Sequence, residues 1–422
     1  MDNIFEDELK DHRIFGNLEV LSPHYVPQEL PHREKEIREV TRIIAPILRN
    51  QRPSNLFVYG KTGTGKTCVV RYVLKKLMEF VSDPQKNTGR AVVKSVYLNC
   101  KMKNTKYQVL LKLAEDPVLN EYNLKDRPLA DRPEGQLKGM DPNDLYDRLF
   151  NVVQGNDMNL VIVLDEIDMI KGNDLDDLMY QLTRMNDELA KGHVSIIGMS
   201  NDMRLKKRLG PRSLSTLCEE EKVFAPYDAI QLKAILKQRI AIGFQPEVVE
   251  PTTVSKIAAY AAQDGDARYA LKLLKKAGEL ASNAGSEKVT VEYVECAKKA
   301  VEEDIMAEGI KNLPEHQQIV IYSIATLALE GGMQKRLSGL SNGDLLTGEV
   351  YDAYESNCKA FNRSPRTIRQ FSQYLSELEM LGLITASMSG KGIRGNTRLI
   401  RLGYPPEEIK AIVKKSLGIN PA

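Results

Sequence analysis

An α/β domain, an all-helical domain and a small C-terminal α+β domain are predicted by the sequence, in that order along the chain. Short apolar runs that alternate with helical segments fill residues 21–226, a pattern typical of strands covered by helices on both faces. Only helical periodicity follows over residues 227–307, and in residues 308–403 helices precede two strands. Residues 1–20 are expected to form an N-terminal arm, and residues 404–422 a C-terminal tail.

The composition limits the kind of protein. Of the 422 residues 42% are apolar, enough for real cores, and the net charge is only +2 although 27% of the residues are charged. A basic coat over the whole surface is therefore excluded, and any nucleic acid has to bind at local patches. The five cysteines and five histidines are scattered, which argues against a disulfide framework or structural zinc. Because the N-terminus is acidic and no apolar run reaches about 18 residues, we expect a cytoplasmic protein without a membrane partner.

Four apolar runs in the first domain predict buried parallel strands. These runs are Asn55–Gly60, Ala91–Asn99, Asn159–Asp168 and His193–Asn201. Because the carboxyl ends of parallel strands lie at one edge of a sheet, the polar residues that end these runs are expected to meet there. The following helical domain is predicted to contain four helices, within residues 229–240, 254–263, 267–281 and 291–303.

A phosphate-binding loop is predicted between the first strand and the helix that follows it. Its residues match GxxxxGK[ST]: Gly60, Lys61, Thr62, Gly63, Thr64, Gly65, Lys66 and Thr67. The glycines allow backbone N–H groups to surround the phosphates of ATP or ADP at a helix N-terminus. We expect Lys66 to reach the β- and γ-phosphates and Thr67 to ligate Mg²⁺.

Two other strand ends carry residues suited to nucleotide hydrolysis. Asp165 and Glu166 end the apolar run VIVL, where one carboxylate suits Mg²⁺ and the next suits a base that orients the attacking water. Asn201 ends the neighbouring run and is placed to bond the water or the γ-phosphate. The alternative for Asn201 is ordinary turn chemistry at a strand end, where asparagine is common.

A helix in the C-terminal domain has the pattern of a DNA-recognition helix. Ser364 and Pro365 suit a helix start, as the N-cap and first helical residue. An apolar face and a polar face then follow. The apolar face has Ile368, Phe371, Leu375 and Leu378, and the polar face has Arg366, Arg369, Gln370 and Gln373. A polar outer face is also what any surface helix shows, so the segment that follows is needed to distinguish the two.

A glycine-rich basic hairpin comes directly after this helix. Leu383–Ser389 and Thr397–Leu402 are predicted strands, joined by residues 390–396. Lys391 and Arg394 lie in the connection and Arg398 beside it, which predicts the wing of a winged helix that contacts phosphates or a minor groove. The alternative is a winged helix that contacts another protein.

The order of these motifs resembles a known family. A P-loop, LDEID, a strand-terminal SN, PRSLSTL and GDAR follow one another as in AAA+ ATPases. With the winged helix appended, the chain is similar to archaeal replication initiators, homologues of origin-recognition-complex and cell-division-cycle helicase-loading proteins. The resemblance covers almost the whole chain, from Ser22–Glu34 to the wing. It implies an AAA+ P-loop ATPase core, an all-helical lid and a C-terminal winged-helix domain.

The resemblance also implies roles for individual residues. Asn201 matches the sensor-1 residue, and Arg268, in GDAR, matches the sensor-2 residue that contacts the γ-phosphate from the lid. Arg212 corresponds to the arginine finger that serves a neighbouring subunit's ATP, with Arg204 and Arg208 as nearby rivals.

Two further regions follow from the resemblance with an alternative left open. His32 and Arg33 are expected beside the adenine or ribose, unless they only begin a helix. Residues 116–141 match the place of a DNA-contacting insertion, unless they form a solvated loop. The basic residues of that stretch are Lys125, Arg127, Arg132 and Lys138.

The function implied is that of an ATP-dependent replication initiator. It would bind double-stranded origin DNA, other initiator copies and the replicative helicase, which it helps to recruit or load, and slow hydrolysis would act as a switch in a nucleoid-associated protein. One rival is a clamp loader or another AAA+ remodeller, but the C-terminal DNA reader argues against it. Another is an ATP-gated transcription regulator, although Glu166 and Asn201 indicate retained hydrolysis.

Overall fold

The computed structural model describes residues 14–23, 25–86, 92–120, 137–217, 219–330, 345–388 and 398–418. The chain divides into two compact units, Met1–Ala297 and Lys298–Ala422. Within the described parts of the chain, no helix combines the length and the apolar character needed to cross a membrane.

The first unit contains a parallel sheet and its covering helices. Its strands are β1 (Asn55–Tyr59), β2 (Val92–Asn99), β3 (Met158–Asp165), β4 (His193–Ser200) and β5 (Glu219–Val223). Its helices are α1 (Glu34–Ile44), α2 (Lys66–Val81), α3 (Lys106–Ala114), α4 (Pro117–Asn120), α5 (Pro142–Gly155), α6 (Asp174–Glu188), α7 (Pro211–Leu217), α8 (Ala229–Gly243), α9 (Pro251–Ala261) and α10 (Ala267–Asn283). The strand order is β2-β3-β4-β1-β5, and every neighbouring pair is parallel.

The sheet is buried on both faces because alternate side chains of its strands enter two different cores. Leu56 and Val58 pack with α1 and α2 on one face. Phe57 and Tyr59 pack with α3, α5 and α6 on the other. This explains why β1, β3 and β4 read as nearly continuous apolar runs, whereas β2, at the edge of the sheet, carries Lys94 and Ser95 and is only partly buried.

Two details of the predicted sheet were wrong. The fifth strand was missed because its sequence, EEEKV, is charged and it lies at an edge of the sheet, where β1 is its one partner among the described strands. The third strand was expected to reach Asp168 but ends at Asp165. Glu166 has a left-handed backbone with φ +52°, and a 3-10 turn over Ile167–Met169 follows it.

The helical part of the first unit packs against the N-terminal segment. The predicted helices correspond to α8, α9, α10 and α11 (Val291–Lys311), of which the last begins in the first unit and continues into the second. Ile14 is fully buried, and the ring of Phe15 lies 5.0 Å from that of Phe244, just after α8. Residues 14–20 of the expected arm therefore pack on this helical part, while residues 1–13 lie outside the described residues. The expected boundary at residue 308 falls inside α11.

The second unit is a small α+β fold. Its helices are α12 (Glu315–Glu330), α13 (Thr347–Ala360), α14 (Ile368–Met380) and α15 (Pro406–Leu417), and its strands are β6 (Leu345–Leu346), β7 (Ile384–Met388) and β8 (Arg398–Leu402). The strand order is β6-β8-β7, with both pairs antiparallel. The sequence analysis did not foresee α15, whose Ile409 and Val413 are buried in the core of this unit.

The predicted start of the recognition helix was also wrong. Helix α14 begins at Ile368, and the Thr367 hydroxyl rather than Ser364 is its N-cap, accepting from the Gln370 amide. The backbone of Arg366 is held outside the helix, because its N–H donates to the Tyr354 hydroxyl and its carbonyl accepts from Tyr351, each at 3.1 Å. Phe371, Leu375 and Leu378 are buried as predicted, but Ile368 in the first turn is 60% exposed.

Candidate functional site

The loop after β1, the end of β3 and the residue after β4 meet at the carboxyl edge of the sheet. Tyr59, the last residue of β1, pairs with Ser200 of β4, and Asn99 of β2 pairs with Asp165 of β3. The loop Gly60–Thr67 follows β1, and Asn201 follows β4. The shared edge expected from the sequence is therefore formed, because parallel strands with aligned ends release their connecting segments on the same side.

Lys66 is held at the centre of this edge. Its ammonium donates to the carbonyls of Gly60 at 2.6 Å and Lys61 at 2.9 Å, and to the Asn201 side-chain oxygen at 2.8 Å. Burial lowers the pKa of Lys66 to about 8, the charge of Asp165 opposes this shift, and the charge of Arg268 adds to it. The site thus brings the predicted phosphate-binding lysine into direct contact with Asn201.

Thr67 and Asp165 form a pair of oxygen donors beside Lys66. The Thr67 hydroxyl donates to Asp165 Oδ2 at 2.9 Å, and the Tyr97 hydroxyl of β2 donates to the same oxygen. The other oxygen, Asp165 Oδ1, accepts from the Glu166 amide at 3.0 Å. One hydroxyl and one carboxylate fit Mg²⁺, which usually takes few protein ligands and completes its shell with phosphate and water. No cluster of three or more His, Cys, Asp or Glu suited to a metal occurs among the described residues.

Two glycines let the loop approach the helical part of the unit. A Cβ on Gly63, whose φ is +74°, would lie 1.8 Å from Asp266 Oδ1, and one on Gly65, at φ +88°, would lie 2.5 Å from the Tyr227 hydroxyl. Asp266 caps α10, and the Ala267 amide donates to the Gly63 carbonyl at 3.1 Å. The start of α10 therefore rests directly on the loop, and any larger residue at either glycine would push the two apart.

Arg33 joins the loop to the residues that lead into α8. Its Nη2 donates to the carbonyls of Thr64 at 2.9 Å and Ala225 at 2.7 Å, and its Nε donates to the Tyr227 hydroxyl at 3.0 Å. Its Nη1 pairs with Glu36 at 2.7 Å. All three guanidinium nitrogens are thus bonded to protein groups. The neighbouring His32 is exposed, and its amide donates to Glu34.

The other predicted arginines differ in their partners. Arg268, in the first turn of α10, is exposed, yet its charge acts on Lys66. Arg208 donates to the carbonyls of Asp168 and Ile170, and Arg204 pairs with Asp202 at 3.4 Å. The Arg212 side chain is exposed and has no hydrogen-bond or ion-pair partner within the described part of the chain.

Comparison with known proteins identifies the family. Residues 29–197 match the AAA ATPase domain, residues 233–299 the Cdc6 AAA+ ATPase-type lid domain, and residues 308–412 the CDC6 C-terminal winged helix domain. The chain is 40% identical to the ORC1-type DNA replication protein of Pyrococcus abyssi over 427 residues, covering all of this chain and 95% of that protein. The chain belongs to the family of ORC1-type DNA replication proteins. The resemblance and the fold class predicted from the sequence are confirmed.

Two other relatives agree with this family. The ORC1-type protein of Thermococcus kodakarensis is also 40% identical, over all of this chain and 96% of that protein. Among solved structures, the Aeropyrum pernix ORC1 protein in complex with DNA is 35% identical, with a TM-score of 0.77, and the match covers 96% of this chain and 97% of that one. The AAA ATPase domain makes this ORC1-type chain a nucleotide-binding protein.

Two residues of the nucleotide site were missed by the sequence analysis. Asp168 Oδ1 accepts from the Ser200 hydroxyl at 2.7 Å and from the Asn201 amide at 3.3 Å, so it fixes the end of β4. Tyr97 binds Asp165, as described above. The position of Asp168 within LDEID could have indicated a place in the site of an ORC1-type chain. Nothing near Tyr97 in the sequence indicates its contact with Asp165, because only the pairing of β2 with β3 brings the two together.

Some of the predicted DNA-binding residues lie in the described part of the chain, and others lie outside it. Arg366, Arg369 and Gln370 are exposed at or just before the first turn of α14. Arg398, at the start of β8, is exposed and donates to the Ser376 hydroxyl of α14 at 3.3 Å, so it lies beside that helix. Lys391 and Arg394 lie outside the described residues, as do Lys125, Arg127 and Arg132 of the expected insertion. Lys138, at the edge of that insertion, is exposed.

Proposed function

We propose that this ORC1-type protein is an ATP-dependent replication initiator. It binds double-stranded origin DNA through its winged helix and helps to recruit or load the replicative helicase, while slow ATP hydrolysis acts as a switch. The observation that carries the proposal is the contact between α10 and the loop Gly60–Thr67, because it makes the position of the lid depend on what the loop holds. Other initiator copies are proposed as partners, and the nucleoid as the place of action.

The residues at the sheet edge have different roles in ATP binding and hydrolysis. Backbone amides of the loop and Lys66 hold the β- and γ-phosphates, and Thr67 with Asp165 holds Mg²⁺, which neutralises charge on the transferred phosphoryl group. Glu166 orients the attacking water or accepts its proton. Asn201 is positioned by Lys66 and Asp168 to bond the water or the γ-phosphate.

Two arginines are assigned to the same phosphate from different subunits. Arg268 acts within its own chain from the first turn of α10, consistent with its electrostatic effect on Lys66. Arg212 acts in a neighbouring subunit, since it is exposed and unpaired among the described residues while its rival Arg208 is bound to two carbonyls. An isolated subunit would therefore lack one catalytic arginine, which supports slow hydrolysis.

The winged helix supplies the DNA contacts. The Aeropyrum relative was solved with DNA, and the exposed first turn of α14 here carries Arg369 and Gln370, the residue types that read guanine and adenine edges. Lys391, Arg394 and Arg398 are assigned mainly to phosphates, and Arg366 is assigned with Arg369 to discrimination between sites. The winged-helix match argues against a clamp loader, whereas an ATP-gated transcription regulator would use the same surface.

Lys66→Ala and Glu166→Gln should separate binding from hydrolysis. Removing the Lys66 charge should weaken ATP binding by about 10- to 100-fold, since charged hydrogen bonds contribute about 1.5–3 kcal/mol. Glu166→Gln keeps the shape of the side chain, so ATP should still bind while single-turnover hydrolysis falls by about 100-fold or more. Lys75→Ala, an exposed charge on the same helix α2, is the control. Normal hydrolysis by Glu166→Gln would remove Glu166 from the mechanism.

Arg268→Ala and Arg212→Ala should differ in their dependence on assembly. Arg268→Ala should slow hydrolysis even in dilute monomer, because this residue serves its own site. Arg212→Ala should matter only where subunits meet, and mixing it with Lys66→Ala protein should restore turnover at the shared site. Turnover is measured across a dilution series, with the monomer verified by light scattering. A defect of Arg212→Ala in monomer would show that it does not act in trans.

Arg369→Ala and Arg398→Ala should change DNA binding in different ways. Loss of a base contact by Arg369→Ala should reduce the preference for origin over random duplex by about 1–3 kcal/mol. Loss of a phosphate contact by Arg398→Ala should weaken binding to all duplexes and lower the slope of log affinity against log salt by about 0.9. Lys415→Ala, exposed on α15, is the control.

These titrations also test the proposed function against its rival. Origin, promoter and random duplexes are compared, with ATP and with ADP. An initiator is expected to bind origin duplex more tightly than promoter duplex. Its affinity for DNA should also differ between the ATP-bound and the ADP-bound protein. Equal affinity of both variants and the wild type for every duplex, with circular dichroism unchanged, would leave the winged helix as a protein-contact domain.

A further inference from the structure

Two tyrosines of α13 hold the backbone of Arg366, which lies just before the first turn of α14. The Arg366 N–H donates to the Tyr354 hydroxyl, and the Arg366 carbonyl accepts from the Tyr351 hydroxyl, each at 3.1 Å. The Arg366 side chain is exposed, and its guanidinium has no hydrogen-bond or ion-pair partner among the described residues. The fold therefore fixes the backbone of this arginine and leaves its charged end available to another molecule.

The two tyrosines are themselves held by packing. Tyr354 is fully buried, Tyr351 is half-buried, and both lie on one face of α13 because they are three positions apart. Their rings pack on Phe371 of α14, with ring centres 5.1 Å apart for Tyr351 and 5.5 Å apart for Tyr354. The Arg366 amide precedes the helix and so has no partner within it. The Tyr354 hydroxyl supplies that partner from the core of the domain.

His316, in the first turn of α12, orients the Tyr354 hydroxyl. The His316 Nδ1 atom lies 2.8 Å from the hydroxyl oxygen, and the imidazole is parallel to the Tyr374 ring of α14, with ring centres 6.4 Å apart. Because the hydroxyl oxygen accepts from Arg366, its single hydrogen is available to Nδ1 of a neutral imidazole. Burial lowers the pKa of His316, and the charge of Arg366 lowers it further, so both favour the neutral ring.

We propose that Tyr354 and His316 are positioning residues for DNA recognition, which act through Arg366. This inference rests on the DNA binding assigned to the winged helix under the proposed function. The hydrogen bonds from His316 through Tyr354 to Arg366 fix the point at which the arginine side chain leaves the backbone. Arginine reads guanine through two hydrogen bonds of defined geometry, so a displaced backbone would lose that match while the charge remained. Neither Tyr354 nor His316 needs to touch the DNA.

The second arginine of this surface, Arg369, is held in a different way. It lies within α14, where the hydrogen bonds of the helix and the buried side chains of Phe371 and Leu375 fix its backbone. Loss of the Tyr354 hydroxyl should therefore displace Arg366 and leave Arg369 in place. The two arginines thus provide an internal comparison for the role of Tyr354.

Tyr354→Phe tests this role, because it removes the acceptor of the Arg366 amide and keeps the buried ring. The probes are a duplex that the wild-type full chain selects from a random-sequence pool and a scrambled duplex of the same composition. The preference for the selected duplex should fall by about 2- to 10-fold, as expected for one lost hydrogen bond. Affinity for the scrambled duplex should stay at the wild-type value, because the charge of Arg366 is retained.

Two further tyrosine variants accompany this measurement. Tyr351→Phe removes the donor to the Arg366 carbonyl and should lower the preference as Tyr354→Phe does. Tyr404→Phe, at a partly buried tyrosine that packs on the same core, is the matched control and should keep the wild-type preference. A wild-type preference in both Tyr354→Phe and Tyr351→Phe would overturn the proposal.

A double-mutant cycle separates positioning of Arg366 from a general packing role. In Arg366→Ala protein, Tyr354→Phe should cause no further loss of preference, whereas in Arg369→Ala protein it should cause its full loss. Equal losses in the two backgrounds would show that Tyr354 supports the whole domain and would contradict the proposal. A wild-type preference in Arg366→Ala protein would contradict it too.

His316→Asn and His316→Leu test the contribution of the imidazole. Asparagine can place an acceptor oxygen near the position of Nδ1 and should retain most of the preference. Leucine removes the acceptor and should lower the preference as much as Tyr354→Phe does. Equal losses in the two variants would overturn the role of His316. Failure of the wild-type protein and of Tyr404→Phe to bind any duplex would contradict the proposed DNA binding itself, and the positioning roles with it.

Discussion

The buried guanidinium of Arg33 is the interaction on which the nucleotide site depends. It bonds the Thr64 carbonyl within the phosphate-binding loop and the Ala225 carbonyl and Tyr227 hydroxyl at the start of the lid. The ring of Tyr227 also lies 4.0 Å below its Cζ. A single side chain thereby joins the amino end of α1, the loop and the chain entering α8. Because buried charged hydrogen bonds are strong only when every donor is satisfied, the arrangement holds these three segments in one geometry.

The carboxyl edge of the sheet is held together by contacts between strand ends. Lys66 donates to Asn201, and Asp168 accepts from Ser200 and from the Asn201 amide, so the ends of β1, β3 and β4 are linked by side chains as well as by the ladder. Small residues at Gly63 and Gly65 then allow α10 and Tyr227 to approach the loop. The Ala267 amide of the lid donates to the Gly63 carbonyl of the loop, so under the proposed function a change at the loop would be passed to the lid.

The sequence predicted the features that depend on local pattern. The buried strands follow from apolar runs, and Gly60–Thr67, Asp165, Glu166 and Asn201 lie at the strand ends where the sequence placed them. The roles of these residues with nucleotide stay predictions. The charged edge strand β5 has no such pattern, because only pairing with β1 makes it a strand.

Features that depend on distant partners were not predictable from the sequence. The position of Arg33 depends on Tyr227, which lies 194 positions away in the chain. The start of α14 was misplaced because Tyr351 and Tyr354 hold Arg366 in an extended conformation, which Ser364-Pro365 does not reveal.

Hydrogen exchange on Arg33→Met protein, free of nucleotide, tests most directly whether this residue joins the loop to the lid. The amides of residues 60–67 and 224–228 should exchange faster than in the wild type and in Arg38→Met, a control at an exposed position of the same helix. The affinity of Arg33→Met for nucleotide should also be lower than that of the wild type. Wild-type protection in both segments, accompanied by weaker nucleotide binding, would contradict the account and show that Arg33 acts as a ligand of the nucleotide instead.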